Sequence, residues 1–263
     1  MNLELEGRVA LVCGGSRGIG KAIAQALARE GAMPVLVSRS DRRLVEAAEE
    51  IEGATGIRPG ILAGDVADSG LARASVDEVV GKHGRIDILI NNAGGPPSGS
   101  FLSHAPETWD AAVETNLLSV IRFTQAAVPE MKKSGYGRVI NITSFLAKEP
   151  TPGMVLSGTL RAGVSAFTKA ISKELARENI TANTVCPSAV LTDRAESLTR
   201  EAAGRDGISF EEALKRASAA LPMGRLAAPA EIADIVAFLA SPLASYITGV
   251  TLLVDGGLSC SVF

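Results

Sequence analysis

The chain has 263 residues, of which 46% are hydrophobic and 21% are charged, and its mean hydropathy is +0.23. A chain of this composition can bury a large core, which excludes disordered and fibrous proteins. The formal net charge is -3 and the Lys and Arg residues are scattered, so we expect no nucleic-acid partner.

The N-terminal residues and the cysteines exclude further classes. The sequence begins MNLELEGRVALV, without the basic region and apolar stretch of a secretion signal. No apolar run reaches the roughly 18 to 20 residues that a membrane span needs, so we expect a cytoplasmic protein without a membrane partner. Cys13, Cys186 and Cys260 are widely spaced and form no CxxC pair, which indicates neither a disulfide framework nor a metal site.

Seven short runs rich in Val, Ile and Leu alternate with segments of helical period. We predict that each run is a strand buried on both faces: RVALVC (8–13), PVLVS (34–38), IRPGILAG (57–64), RIDILIN (85–91), GRVINIT (137–143), NITANTV (179–185) and VTLLV (250–254). Helices are predicted at 20–31, where Gly31 ends the segment, and at 42–53, with Asp41 as N-cap. This alternation predicts an α/β protein with a single Rossmann-type, doubly wound parallel sheet of about seven strands in an α/β/α sandwich. No linker or repeat divides the chain, so residues 1–263 are predicted to form one domain.

Two irregular stretches follow predicted strands. The first is the Gly- and Pro-rich AGGPPSGS at 93–100, and the second is residues 191–222, which contain the helical segment SFEEALKRASAAL. In open α/β sheets, ligands bind beyond the carboxyl ends of the strands. Residues 191–222 are therefore a candidate substrate lid, and the alternative is a surface helix packed on its own domain.

A glycine-rich turn joins the first predicted strand to a helix. Its sequence is Cys13-Gly14-Gly15-Ser16-Arg17-Gly18-Ile19-Gly20. Glycines at these positions let the backbone approach a pyrophosphate, and the helix N-terminus offers free N–H groups to the anion. The predicted cofactor-binding residues here are Gly14, Ser16, Arg17, Gly18, Ile19 and Gly20, although glycine also serves simply to make turns.

The end of the second predicted strand indicates which dinucleotide binds. A carboxylate there would favour NAD(H) by bonding the ribose 2′-OH, but the strand ends in Val37-Ser38-Arg39. Arg39, with Arg17, is suited to a 2′-phosphate, which favours NADP(H) over NAD(H). The alternative is that both arginines are simply solvated.

Further segments fall in a recognisable order. They are Asp65-Val66, Asn91-Asn92-Ala93-Gly94, Asn116 in the fourth helix, Ile142-Thr143-Ser144, Asn183 to Pro187, and Gly249 to Gly257. With the glycine loop, they resemble the short-chain dehydrogenase/reductase family over nearly the whole chain, and most of all its 3-oxoacyl carrier-protein reductase branch with the related sugar and alcohol dehydrogenases. The resemblance implies that Asp65 and Val66 bracket the adenine, that Asn92, Ala93 and Gly94 pass along the cofactor, and that Pro187, Ser188, Val190 and Thr192 lie by the nicotinamide.

The catalytic motif of that family is altered. The family places a Tyr thirteen residues after the catalytic Ser and a Lys four residues further on, and counting from Ser144 gives Ser157 and Arg161. The two positions share a helix face. A Ser hydroxyl is a poor proton donor near neutral pH, and Arg161 stays protonated but passes no proton on readily. We take Asn116, Ser144, Ser157 and Arg161 as the candidate catalytic residues, with Arg161 also against the nicotinamide ribose.

No other residue is an obvious proton donor. Tyr136 precedes the fifth strand and is expected at the opposite end of the sheet, and His104 is more typical of a surface or interface. Lys148, Glu149 and Asp193 are the remaining candidates.

Two functions therefore remain open. One is an NADP(H)-dependent oxidoreductase of a small-molecule carbonyl or alcohol, in which water or a substrate group provides the proton. The other is a catalytically weak or inactive NADP(H)-binding protein that acts as a sensor or partner subunit, and a lyase or isomerase is a more remote third. The resemblance also implies a homotetramer, which the apolar faces of SVIRFTQAAVPEM and LRAGVSAFTKAISKEL favour, unless those faces only line a broad intramolecular contact.

Overall fold

A computed structural model describes residues 2–261, which contain seven strands and nine α-helices. The strands are β1 Val9–Cys13, β2 Met33–Ser38, β3 Gly60–Ala63, β4 Ile88–Asn91, β5 Gly137–Ile142, β6 Ile180–Pro187 and β7 Thr251–Val254. The helices are α1 Gly18–Arg29, α2 Asp41–Thr55, α3 Leu71–His83, α4 Pro106–Val113, α5 Ser119–Ser134, α6 Val155–Leu175, α7 Asp193–Asp206, α8 Phe210–Ala219 and α9 Pro229–Ala240.

The strands form one parallel sheet in the order β3-β2-β1-β4-β5-β6-β7. The order reverses direction between β1 and β4, which makes their carboxyl ends the switch point where ligands bind in such sheets. This arrangement confirms the predicted fold class, a doubly wound parallel sheet of Rossmann type.

Apolar side chains cover both faces of the central strands. Along β1, Ala10 and Val12 pack into a core with α1 and α9, whereas Val9, Leu11 and Cys13 pack into a second core with α3 and α5. A parallel sheet covered by helices on both faces has near-continuous apolar strands, which explains why the sequence predicts them so clearly.

Two details of the sequence prediction are wrong, and one helix was not predicted. The edge strands β3 and β7 are only partly buried, because each has a neighbouring strand on one side only. Helix α2 is capped by Ser40, whose Oγ accepts a hydrogen bond from the N–H of Arg43, and Asp41 is the first helical residue. Residues 191–222 contain a second helix, α7, which begins at the Thr192 cap and ends at Gly207.

The glycine loop is held by close backbone packing. A Cβ on Gly20 would lie 2.2 Å from the carbonyl oxygen of Gly14, and a Cβ on Gly14 would lie 2.5 Å from that of Asn92. Gly14 also has a φ of +64°, which side chains rarely allow. The start of α1 can therefore sit against β1 and β4 only if both positions are glycine.

We expect Gly20→Ala to lower the free energy of unfolding by about 1 to 3 kcal/mol, since the added methyl overlaps a backbone oxygen. Gly81→Ala is the matched control, because Gly81 also lies in a helix but a Cβ there meets nothing within 4 Å. The control should be neutral or stabilising by up to about 1 kcal/mol. Urea unfolding measures both, and equal effects would show that the loop tolerates a side chain.

Candidate active site

The glycine loop presents the N-terminus of α1 at the switch point. Arg17 is the N-cap residue, and its side chain makes no capping hydrogen bond. The first N–H groups of a helix have no partner within it, so this end of α1 can bind an anion. Asn92, just after β4, holds the loop in place by donating from Nδ2 to the carbonyl of Cys13 at 3.3 Å.

The end of β2 carries the residues predicted to select the cofactor. The Oγ of Ser38 is buried and has no hydrogen-bond partner within residues 2–261. Arg39 is exposed, and its Nη1 lies 3.9 Å from a carboxylate oxygen of Asp65. An unpartnered buried hydroxyl beside an exposed guanidinium fits the adenosine ribose end of a dinucleotide.

Arg17 contacts the candidate lid instead of β2. Its Nη1 donates to a carboxylate oxygen of Asp193 at 2.5 Å, and this hydrogen bond lowers the pKa of Asp193. Next to this pair, a Cβ on Gly18 would lie 3.2 Å from the methyl carbon of Thr192. The loop and the start of α7 therefore touch each other.

A buried chain of hydrogen bonds aligns the middle strands near the site. Asn91 Nδ2 donates to Asn141 Oδ1 at 2.8 Å, and Asn141 Nδ2 donates to Thr168 Oγ1 at 2.8 Å. Thr184 on β6 also contacts Thr168, at 3.0 Å. Buried amides and hydroxyls that satisfy one another hold neighbouring elements in one register, here β4, β5, β6 and α6.

Asn116 lies in a π-helical turn, Glu114–Leu118, rather than in a regular helix as predicted. It is buried, and its Nδ2 donates to the carbonyl of Ala112 at 3.2 Å. Single π-turns within helices occur frequently at functional sites. The turn brings Asn116 to the border between two cavities.

The first cavity is a narrow one at the carboxyl ends of β1, β4 and β5. It is lined by Cys13, Val66, Asn91, Asn92, Ala93, Asn116, Ser119, Val120, Phe123, Ile142, Thr143, Arg161 and Val164. The second is an open cleft lined by Gly94, Gly95, Pro96, Pro97, Glu107, Thr108, Ala111, Ala112, Thr115 and Asn116. The two share Asn116, so the cavity and the open cleft lie next to each other.

Ser157 and Arg161 are bonded to each other. Arg161 Nε donates to Ser157 Oγ at 3.2 Å, and Arg161 Nη1 donates to the carbonyl of Ile142 at the end of β5, also at 3.2 Å. Ser144, two residues beyond Ile142, uses its Oγ to accept from the N–H of Leu146 at 3.3 Å. The substituted pair thus lies beside the carboxyl end of β5, in the same region as Ser144.

Burial lowers the pKa of Arg161 to about 10, with a smaller contribution from the positive charge of Arg194. The guanidinium is still protonated at neutral pH. Within residues 2–261 no carboxylate lies within ion-pair distance of it. The site therefore carries an uncompensated positive charge.

The other predicted proton donors are placed less favourably. Tyr136 is buried at the start of β5, donates to the carbonyl of Ala240 and stacks against Arg8 and Arg138. Glu149 accepts from the N–H of Ser261, and Asp193 is occupied by Arg17. The Nε2 of His104 is buried without a hydrogen-bond partner within the described chain.

Burial raises the pKa of both Cys13 and Cys186, which therefore remain thiols at neutral pH.

Lys148 is half-buried in the turn after Ser144. Within residues 2–261, no three His, Cys, Asp or Glu side chains converge to hold a metal.

The segment after β6 closes the other side of the site. Ser188 Oγ donates to the carbonyl of Asp255, Val190 pairs with Ala227, and Thr192 caps α7. Pro187 is the last residue of β6. Arg194, which the sequence analysis did not single out, donates from Nη2 to the carbonyl of Pro96 at 3.0 Å. Its only signal in the sequence is a position two residues after Thr192.

The parallel sheet and the glycine loop define a Rossmann-like α/β protein. Residues 14–259 match the family model described as enoyl-(acyl carrier protein) reductase. The chain belongs to the short-chain dehydrogenase/reductase family and is an oxidoreductase of that family. No helix among residues 2–261 has the length and apolar character to cross a membrane.

Curated and solved relatives cover almost the whole chain. The 3-oxoacyl-(acyl-carrier-protein) reductase of Thermotoga maritima is 37% identical over 257 residues, which is 97% of this chain and 99% of the relative. The L-sorbose reductase of Gluconobacter frateurii, solved with NADPH and L-sorbose, has a TM-score of 0.95 at 32% identity and covers 100% of both chains. The actinorhodin polyketide ketoreductase, solved with NADPH as a single-residue variant, has a TM-score of 0.93 at 37% identity, covering 97% of this chain and 98% of that one.

We expect the charge of Arg161 not to contribute to the free energy of unfolding. We expect Arg161→Met to cost less than about 1 kcal/mol of unfolding free energy, or to stabilise the protein, because removing a desolvated and unpaired charge offsets the loss of its hydrogen bonds to Ser157 and Ile142. The control is Arg138→Met. Arg138 likewise has no carboxylate partner among residues 2–261, but it donates to three carbonyls, those of Gly137, Asn179 and Ser241, and stacks on Tyr136. Its loss should cost about 2 to 3 kcal/mol, and equal losses in urea unfolding would make Arg161 a structural residue.

Proposed function

We propose that the chain is a cytoplasmic NADP(H)-dependent oxidoreductase that acts on a small-molecule carbonyl or alcohol and has a non-standard proton-transfer site. The observation that carries this proposal is the placement of two sets of groups at one edge of the sheet. The start of α1 is at the switch point, and Asn116 and Arg161 line the first cavity at the same edge. Ser157 is bonded to Arg161, and Ser144 follows the end of β5, to which Arg161 also bonds. When bound, the nicotinamide supplies or accepts the hydride.

The residues of the cofactor face fit a dinucleotide. The start of α1, with Gly14, Ser16, Gly18, Ile19 and Gly20, would hold the pyrophosphate. Asp65 and Val66 would lie by the adenine, and Asn92, Ala93, Gly94, Pro187, Ser188, Val190 and Thr192 would lie along the nicotinamide half. Each of these assignments is supported by the position of the residue at the carboxyl edge of the sheet.

The preference for NADP(H) is supported by the charges after β2. No carboxylate stands at the end of that strand, whereas Ser38 and Arg39 do. A 2′-phosphate would give Arg39 a stronger partner than the distant Asp65. NADPH in the relatives with known complexes is consistent with this preference.

Arg39→Ala should weaken NADPH binding by roughly tenfold or more and leave NADH binding within about twofold, since a bond to the 2′-phosphate is charge-assisted. Arg42→Ala is the matched control, because Arg42 is exposed in the first turn of α2 and pairs with Glu46. Cofactor fluorescence titrations give the four dissociation constants. Parallel losses for NADPH and NADH would refute the assignment of Arg39 to the 2′-phosphate.

Proton transfer is the part of the reaction that differs from the family pattern. Ser157 Oγ accepts from Arg161, which leaves the Ser157 hydroxyl proton available to a substrate oxygen. Asn116 lines the same cavity as Arg161, and Ser144 follows the end of β5 to which Arg161 bonds, so these two residues would position that oxygen. The guanidinium stabilises negative charge as it develops on the oxygen, and water or a substrate group provides the proton that neither Ser157 nor Arg161 can supply readily.

Restoring the family motif should increase turnover. We expect Ser157→Tyr with Arg161→Lys to raise the NADPH-dependent reduction of ketones by roughly 100-fold or more, the usual contribution of a positioned general acid. The matched control is Thr159→Tyr with Arg161→Lys, which adds the phenol at an exposed position of the same helix. If the first double variant does not exceed the control, the substrate pocket has diverged as well.

The second candidate function is that of a catalytically weak or inactive NADP(H)-binding protein, a sensor or partner subunit. The loss of both Tyr and Lys favours it. Titration with NADPH, followed by its absorbance with a panel of ketones, aldehydes and β-ketoacyl thioesters, separates the two. Cofactor binding without turnover across the panel would favour this second function over the first.

We further propose that residues 1–263 are one domain, with residues 191–222 as its substrate lid, and that the protein is a homotetramer. The lid is supported by the contacts of Asp193 with Arg17 and of Arg194 with Pro96.

The tetramer is supported by apolar residues of α6 such as Phe167, which is half-buried and belongs to neither of the two sheet cores. Light scattering coupled to gel filtration measures the mass in solution.

A further inference from the structure

Two guanidinium groups converge on Gly95, at the mouth of the substrate cleft. A Cβ on Gly95 would lie 3.7 Å from Nη2 of Arg161 and 4.0 Å from Nε of Arg194. One group comes from α6 and the other from the second residue of α7. Gly95 itself lines the cleft next to Gly94 and Pro96.

Each guanidinium is held through some of its nitrogens and has a further nitrogen that faces Gly95. Arg161 uses Nε and Nη1 to bond Ser157 and Ile142, which leaves Nη2 facing Gly95. Arg194 uses Nη2 to bond Pro96, which leaves Nε facing Gly95. Within residues 2–261 neither of these two remaining nitrogens has a hydrogen-bond acceptor, so both are donors fixed in place and available to a ligand.

The charges at this point are not neutralised by the protein. The nearest carboxylate in the sequence, Asp193, bonds Arg17. Glu107 lines the cleft but forms no ion pair with either arginine among the described residues. Like charges held together in a partly buried place are unfavourable unless an anion lies between them, and Arg forks are well suited to a planar carboxylate.

We propose that Arg161 and Arg194 form a site for an anionic group of the substrate, and that the substrate is an oxo acid or the corresponding hydroxy acid. The spacing within the acid follows from Ser157. Its hydroxyl, proposed to bond the reacting oxygen, lies 3.2 Å from Nε of the same Arg161. A 2-oxo acid, in which the carbonyl and the carboxylate are neighbours, is the simplest substrate that reaches both Ser157 and Arg161. This inference rests on the proposed function for the location of the reacting carbonyl.

The test compares 2-oxooctanoate with its methyl ester, which has the same chain and carbonyl but no charge. Isothermal titration calorimetry measures the binding of each probe, both to the NADPH-loaded protein and to the protein without cofactor. We expect the acid to bind at least roughly tenfold more tightly than the ester, the effect of one charge-assisted hydrogen bond. The preference should shrink at high ionic strength. Equal affinities would overturn the proposal.

The decisive variant is Arg194→Gln, and its matched control is Arg205→Gln, in the last turn of the same helix, where Arg205 pairs with Asp206. Arg194→Gln should remove most of the preference for the acid and leave the NADPH dissociation constant within about twofold. Arg205→Gln should change neither. If Arg194→Gln weakens NADPH binding instead and leaves the preference intact, Arg194 is a cofactor ligand and the inference is wrong.

Different results would refute the proposed function and the proposed anion site. A wild-type protein that binds no NADPH would refute the proposed oxidoreductase function, while the comparison of acid and ester without cofactor still reports on the two arginines. Conversely, NADPH binding and ketone turnover without a preference for the acid would refute only the anion site.

Discussion

The common direction of the seven strands is the constraint on which the rest of the structure depends. Because every strand is parallel to its neighbours, every connection crosses over a face of the sheet through a helix or loop. All the carboxyl ends consequently lie at one edge. Residues as distant in sequence as Gly14, Asn92, Ser144 and Thr192 are brought together there without any direct sequence relation.

The same constraint determines where the glycine loop can accommodate a side chain. The reversal of strand order places β1 directly beside β4, so the loop after β1 packs against the backbone after β4. The space left by a missing Cβ at Gly14 and Gly20 is filled by protein backbone, not by solvent. These glycines therefore support the packing of α1 as well as a phosphate, and their presence alone does not distinguish the two roles.

The pair of Ser157 and Arg161 affects the chemistry proposed for the site more than the fold of helix α6. Helix α6 continues through positions 157 and 161, and the two replacement side chains bond each other and the end of β5. A guanidinium is bulkier than an ammonium and keeps its charge. It therefore presents further donors beyond those that hold it, and one of them reaches Gly95, where Arg194 arrives from the other side. The chemistry proposed for this chain follows from that geometry: weak proton donation together with strong attraction for an anion.

The sequence by itself determined the seven strands, the Rossmann-like fold, the glycine loop and the register that puts Ser157 and Arg161 one helical turn apart. These are local properties, since apolar runs, glycine spacing and the helical period can be read along the chain. It also indicated the family. It did not predict helix α7, because the apolar face of that helix is small and its N-cap, Thr192, is not followed three residues later by a glutamate.

Only the tertiary structure decided which of the candidate polar residues meet. Arg17 was predicted to serve the cofactor but contacts Asp193. Arg194, whose only signal in the sequence is its position after Thr192, lies beside Gly95 with Arg161. The physical reason is that these contacts join the ends of β1, β4, β6 and α6, so they depend on strand order and on long side-chain conformations. Neither the strand order nor the conformation of a long side chain produces a periodic pattern in the sequence.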